Sequence, residues 1–375
     1  MFSRRELVHG AIAGGIATLV PPCIAAPEMG PIRTALRQTV GTREKSAGMI
    51  AVVIDGSGVR TETYGSSGGS GLVLNADSVF EIMSITKVFT ALLLADMVHR
   101  GEAAFHDPVA KYLPVALREY SGPITLLDLA TYTSGLPNMP GNLPPDWWSA
   151  PDPMSDYTEA KLYEFLASYV PKYEPGKHYE YANLSFGLLG IALARRSGKT
   201  YEQLLIDRVC KPLGLSHTGI TLTPTMRRRL VQGHDLAMKE TQLWNWPAMP
   251  GAGCVRSTAR DLTAFVKANM GLTDSPLRPA MKRMMEVRRP TSLDATSAGL
   301  GWYITSDGNE EIAWKSGLSG GCSTFIGFSM QNRRGVVLLS NFLWRPIDAG
   351  TISLGIRMIK PDFPSVDFDK LYPLN

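Results

Sequence analysis

Apolar and polar positions follow two different periods along this chain. Gly48–Asp55 (GMIAVVID) is a continuous apolar run closed by Gly56-Ser57-Gly58, which predicts a buried strand and a tight turn. Residues 59–64 can return against it as a hairpin. From Ser84 the period lengthens. Val88, Leu92, Leu93 and Met97 recur at helical spacing up to Gly101. Further helical segments follow at 124–132, 158–170, 184–196 (stopped by Gly198) and 201–209 (stopped by Pro212-Leu213-Gly214-Leu215). The stretch 138–153 reads as a loop and holds Trp147 and Trp148.

The last third changes again. A helix over 257–270, capped by Ser257 or Thr258, precedes four runs that read as antiparallel strands, at 300–305, 312–315, 322–328 and 335–340. Turns fall at Asp307-Gly308 and Asn332-Arg333-Arg334, and 350–359 reads as a closing helix. Strands thus lie at both ends and helices in the middle. The expected fold is α+β, an α/β sandwich: one antiparallel sheet built from both chain ends and flanked by helices. The expected division is a sheet domain from 26–80 and 255–375, with a mostly helical domain at 81–254 inserted into it and the active site between them.

Composition narrows the class. The 375 residues are 44% hydrophobic and 19% charged, with a formal net charge of +4. That is ordinary for a globular protein and gives no reason to expect a nucleic-acid partner. Beyond the first 25 residues no apolar run reaches membrane-spanning length. Residues 1–25 read as an export leader. Arg4-Arg5 opens a twin-arginine-type pattern, an apolar stretch follows at 11–20, and Cys23-Ile24-Ala25 offers a cleavage site before Ala26. A periplasmic or secreted monomer is expected. Cys210, Cys254 and Cys322 would remain, enough for one disulfide at most. His178, His217 and His234 are scattered, without metal-ligand spacing, so neither a metal nor another cofactor is expected.

Three short motifs carry candidate chemistry. Ser84-Ile85-Thr86-Lys87 places a hydroxyl and an amine three residues apart, on one face of a helix start. Alone it could equally be a capping serine with a solvated lysine, but the flanking Phe80, Ile82, Val88 and Phe89 argue for burial. A buried lysine beside another cation loses its proton more easily and can then activate a serine. Tyr181-Ala182-Asn183 stands just before an apolar helix. Its tyrosine can move protons if cations flank it, and its amide can both donate and accept. In isolation Asn183 could be merely a helix cap. Lys315-Ser316-Gly317 ends an apolar strand. Gly317 would admit a substrate close to the backbone, and the N–H groups of Leu318 and Ser84 could form an oxyanion hole. Arg345 lies shortly after the next strand pair and could join Lys315 in holding a substrate carboxylate.

With these motifs in this order, the chain resembles the serine β-lactamase and penicillin-binding protein superfamily, most closely the class C β-lactamases and the periplasmic DD-peptidases near them. The likeness extends through Leu129-Ala130-Thr131-Tyr132-Thr133-Ser134-Gly135-Leu136-Pro137, Pro212-Leu213-Gly214-Leu215, Gly251-Ala252-Gly253 and Leu300-Gly301-Trp302. It implies that Ser84 attacks a carbonyl and Lys87 assists. Tyr181 would shuttle protons, and Lys315 would hold Tyr181 ionisable and draw in the substrate carboxylate. Asn183, Ser316, Gly317, Leu318 and Arg345 would bind substrate.

No glutamate-bearing loop of the class A type lies between Lys87 and Lys315, which favours the tyrosine type. Two positions depart from the family pattern. Ser316 stands where threonine is commoner, and Asn138 follows Leu136-Pro137 where class C β-lactamases usually place a substrate-contacting glutamine. The first expectation is a β-lactamase acting on small β-lactams. The alternative is a D-alanyl-D-alanine carboxypeptidase/endopeptidase acting on peptidoglycan stem peptides. An esterase of the same fold and a catalytically silent sensor are further readings.

Overall fold

The computed structural model describes residues 30–68, 71–118, 121–346 and 349–371. The expected leader, with Cys23, lies outside the described residues. The apolar run becomes β1 (Gly48–Asp55), and it pairs in a hairpin with β2 (Gly58–Gly65). A small antiparallel pair follows in space, β3 (Val79–Glu81) with β4 (Arg256–Thr258). The rest of the main sheet comes from β5 (Arg289–Pro290), β6 (Thr296–Ala298), β7 (Tyr303–Ser306), β8 (Glu311–Leu318), β9 (Ser323–Ser329) and β10 (Arg334–Ser340). Its eight strands run in the order β2-β1-β10-β9-β8-β7-β6-β5, every neighbour antiparallel. The chain's two ends meet at β1 and β10, where Met49–Ile54 are paired residue for residue with Gly335–Ser340.

Strand alternation places helices on both faces. Gly335 packs against Val266 and Met270 of the Ala259–Met270 helix. Phe325 packs against Gly355 of the Ala349–Ile359 helix. Gly335 is in register with Phe328, three residues from Phe325, so the two helices cover opposite faces. Lys315 is in register with Ile326 and shares the face of Phe328, toward the helical middle of the chain.

The helical middle follows the sequence pattern with shorter elements. The 124–132 segment is helical only over Leu126–Ala130, where Thr125 and Asp128 close a capping box. The apolar segment beginning at Leu184 forms the Asn183–Ser197 helix, ended by Gly198 in the left-handed conformation. Asn183 is its first helical residue and not its cap, which leaves its side chain available for other partners. The expected helix over 257–270 instead begins at Ala259. Residues Arg256–Thr258 are extended in β4, and Thr258 caps the helix by accepting from Asp261 N. Cys210, Cys254 and Cys322 are all buried free thiols. Burial pushes Cys210 and Cys254 up to about 12 and about 11 respectively, and Cys322 higher.

Candidate active site

Ser84 lies in a single tight turn, Met83–Ile85, that leads into the Thr86–His99 helix. Met83 adopts φ 41°, a conformation rare for a residue with a side chain, and is held there by burial. Strand β3 runs into this turn. Gly317 of β8 packs directly against it: a Cβ at Gly317 would stand 2.1 Å from Ile82 O. The glycine is therefore required by the protein's own backbone, a tighter constraint than the approach of substrate expected from sequence.

One hydrogen-bonded cluster joins four of the expected residues. Lys87 Nζ lies 2.8 Å from Ser84 Oγ, 2.8 Å from Asn183 Oδ1 and 2.7 Å from Ala252 O. Ser84 Oγ is 2.7 Å from the Tyr181 hydroxyl. Lys87 is fully buried while Ser84 and Tyr181 remain partly open. The lysine reaches Ala252 because Gly251 lets the Pro250–Gly253 turn seat on the Asn183–Ser197 helix. A Cβ there would meet Phe186 O at 2.7 Å.

Burial, and after it the charge of Lys315, hold the Lys87 ammonium well below the usual lysine range. Once deprotonated, the amine keeps two N–H bonds. Asn183 Oδ1 and Ala252 O can only accept, so they take both. The lone pair is then left toward Ser84 Oγ, ready to receive its proton.

Lys315 completes the electrostatics. It is fully buried within β8, three residues before its end, and its ammonium lies 4.8 Å from the ring centre of Tyr181, 4.6 Å from that of Tyr303 and 5.8 Å from that of Tyr132. Three tyrosine faces thus surround one cation. Tyr303 is further tied to Tyr179 by a hydroxyl–hydroxyl bond of 2.6 Å.

Ser316 is 2% exposed and paired with Phe325 across the β8–β9 ladder. Leu318 ends β8. Ser319 N donates to Cys322 O on the β9 side, so by alternation Leu318 N–H faces the other edge. Arg345 is not brought to this cluster. It lines a surface cleft with Gln38, Thr39, Arg43, Leu236 and Trp344, because the chain after β10 turns toward the Pro31–Val40 helix.

Sequence reasoning missed Asn138 as a partner. Its Oδ1 accepts from Asn183 Nδ2 at 2.8 Å and from Asn183 N at 3.2 Å. The departure from glutamine at this position was the visible signal. Ala252 O was also missed, since a backbone acceptor leaves no mark in residue type.

A serine hydroxyl bonded to a buried amine and a phenol, with an enclosed lysine beside them, is the equipment of a serine hydrolase that works through an acyl-enzyme. Residues 33–346 match the Beta-lactamase family model, and the chain belongs to that family. It is 32% identical over 315 residues to the D-alanyl-D-alanine-carboxypeptidase/endopeptidase AmpH of Escherichia coli (strain K12), covering 78% of this chain and 79% of the relative. It is 26% identical over 349 residues to a Beta-lactamase of Pseudomonas fluorescens, covering 82% and 94%. Among solved structures, the Beta-lactamase/D-alanine Carboxypeptidase from Yersinia pestis complexed with citrate superposes with a TM-score of 0.73 at 26% identity, covering 88% of this chain and 98% of that one.

Proposed function

We propose that this serine hydrolase opens the D-alanyl-D-alanine amide of peptidoglycan stem peptides, and that β-lactams acylate the same serine. The observation that carries the mechanism is the orientation of Lys87, whose two N–H bonds are taken by Asn183 and Ala252. Ser84 Oγ attacks the carbonyl carbon as its proton passes to Lys87. The carbonyl oxygen becomes an oxyanion held by the N–H groups of Ser84 and Leu318. Tyr181 delivers a proton to the leaving amine, the C–N bond breaks, and an acyl-Ser84 ester remains. Water then attacks the ester, losing its proton to Tyr181, while Lys87 returns its proton to the departing Ser84 oxygen, so that free Ser84 is restored and a carboxylic acid leaves. Lys315 and Ser316 receive the substrate's terminal carboxylate, and Asn183 the amide side. Each proton has a side chain to carry it, so the scheme needs no cofactor.

Two features favour peptide cleavage as the main reaction. Asn138 stands in place of the class C glutamine and is engaged by Asn183. Identity is also higher to the carboxypeptidase/endopeptidase than to the Pseudomonas fluorescens Beta-lactamase. β-Lactam hydrolysis is the second reading. It is favoured by the Tyr181 hydroxyl at 2.7 Å from Ser84 Oγ, where it can activate the deacylating water.

The twin-arginine-type leader supports export to the periplasm. Among the described residues no helix is long and apolar enough to cross a membrane. The test sets release of D-alanine from a D-alanyl-D-alanine peptide beside hydrolysis of nitrocefin, a chromogenic cephalosporin. Retention of a fluorescent penicillin is followed on the wild type and on Ser84→Ala. D-Alanine release with slow loss of bound penicillin is the expected result. An adduct on Ser84→Ala, or on a residue other than Ser84, would overturn the mechanism.

A further inference from the structure

Behind the catalytic cluster lies a buried carboxylate that the mechanism above does not use. Glu81 is the last residue of β3, three before Ser84, and is 4% exposed. Its Oε1 accepts from Trp244 N at 2.7 Å, and its Oε2 accepts from the Ser319 hydroxyl at 2.9 Å. Ser319 is the residue after Leu318 and is 2% exposed. Its Oγ accepts from Cys322 N at 2.9 Å and from Gly321 N at 3.2 Å. The hydroxyl therefore gathers the turn that follows β8 and donates its own hydrogen bond to Glu81. Trp244, held by the other carboxylate oxygen, stands against that turn: a Cβ at Gly320 would lie 3.0 Å from Trp244 Nε1.

We propose that Glu81 is a positioning residue for the oxyanion hole, fixing the separation of the Ser84 and Leu318 N–H groups through Ser319. The proposal rests on the acyl-enzyme reading given above. One donor belongs to the turn that β3 enters, and the other belongs to the last residue of β8. The Glu81–Ser319 bond is a direct side-chain tie between these two segments. It lies within three residues of the first donor and one of the second. The Gly317–Ile82 contact limits how closely the segments approach. The Glu81–Ser319 tie limits how far they separate. An oxyanion hole acts by holding its donors where charge develops, so a small spread between them costs rate without weakening ground-state binding.

The test uses the full chain with Ser319→Ala and Glu81→Gln. Glutamine keeps the volume of Glu81 but can offer only one acceptor, so one of its two links must break. Ser319→Ala removes only a hydroxyl and guards against a Glu81 variant that fails to fold. Acylation by a fluorescent penicillin gives a maximal rate and a half-saturating concentration. Phenylboronic acid, which adds to a serine oxygen as a tetrahedral anion, reports on the hole itself. The expected result is a maximal acylation rate lower by about 10–100-fold and phenylboronate affinity weakened by a matching factor, with half-saturation unchanged. Wild-type acylation and boronate affinity in a folded Ser319→Ala would overturn the proposal, as would a change confined to half-saturation or melting temperature. A wild-type protein that is never labelled at Ser84 would instead overturn the reading on which the proposal stands.

Discussion

Asn138 Oδ1 accepts both the side-chain and the backbone N–H of Asn183, and this double bond fixes which way the Asn183 amide faces. With Nδ2 turned to Asn138, Oδ1 must turn to Lys87. Truncating Asn138 frees the amide to rotate, and Lys87 loses a fixed acceptor. Asn138→Ala is expected to lower kcat/KM for penicillin acylation by about 10–100-fold. Asn138 is exposed, so the two lost hydrogen bonds should cost only about 1–2 kcal/mol of stability. Stopped-flow acylation beside thermal melts checks both figures. Unchanged acylation would show that Asn183 holds its orientation without Asn138.

Much of this arrangement was legible because local pattern and global fold agree. Gly48–Asp55 could be little else than a buried strand, and the flanks of Ser84 announced a buried helix start. The pieces that escaped are those decided by distant chain. β3 and β4 are three residues each and 177 positions apart (Val79 to Arg256), too short to show a period, and they exist because each pairs with the other. Gly317 illustrates the same limit. Its type was noticed, but the obstacle it avoids, Ile82 O, is fixed only when β8 meets the turn holding Ser84. Arg345 was misplaced because counting strands does not tell which way the chain leaves the sheet after β10.

That obstacle gives a sharp test of the Gly317 contact. Gly317→Ala would place a methyl 2.1 Å from a backbone oxygen, and neither strand nor turn can yield cheaply. Overpacking of this kind costs about 1–3 kcal/mol. The shift would also move Leu318 relative to Ser84. The variant should melt lower and acylate slowly on every substrate, small or large. A loss confined to bulky substrates would restore the view that the glycine makes room for substrate.

In the proposed mechanism Tyr181 carries protons in both halves of the cycle. Tyr181→Phe keeps the ring above Lys315 and Lys87 and removes only the hydroxyl beside Ser84. Packing should survive, and kcat should fall by about 10²–10⁴-fold, the range for a general acid–base group. Burst and steady-state phases on nitrocefin separate acylation from deacylation, and both should slow. Wild-type rates in both phases would leave Lys87 as the only proton carrier.

The depressed Lys87 couples activity to stability through pH, and the sign follows from proton counting. In the folded protein burial and Lys315 lower its pKa below 10.5, so between the lowered value and 10.5 the unfolded chain binds more protons than the native one. Stability from this residue therefore rises with pH across that window, and at neutral pH Lys87 burdens the fold. Acylation needs the neutral amine and should fall as pH drops through the lowered pKa. Lys87→Met removes the titration while nearly conserving volume. It should abolish acylation at every pH, and wild type should gain stability relative to it as pH rises from the lowered pKa toward 10.5. Denaturant unfolding of both proteins at several pH values measures that difference directly, and titrating groups that do not interact with Lys87 cancel in it. A difference that stays flat with pH would mean that Lys87 keeps an ordinary pKa, and the proton from Ser84 would then need another acceptor.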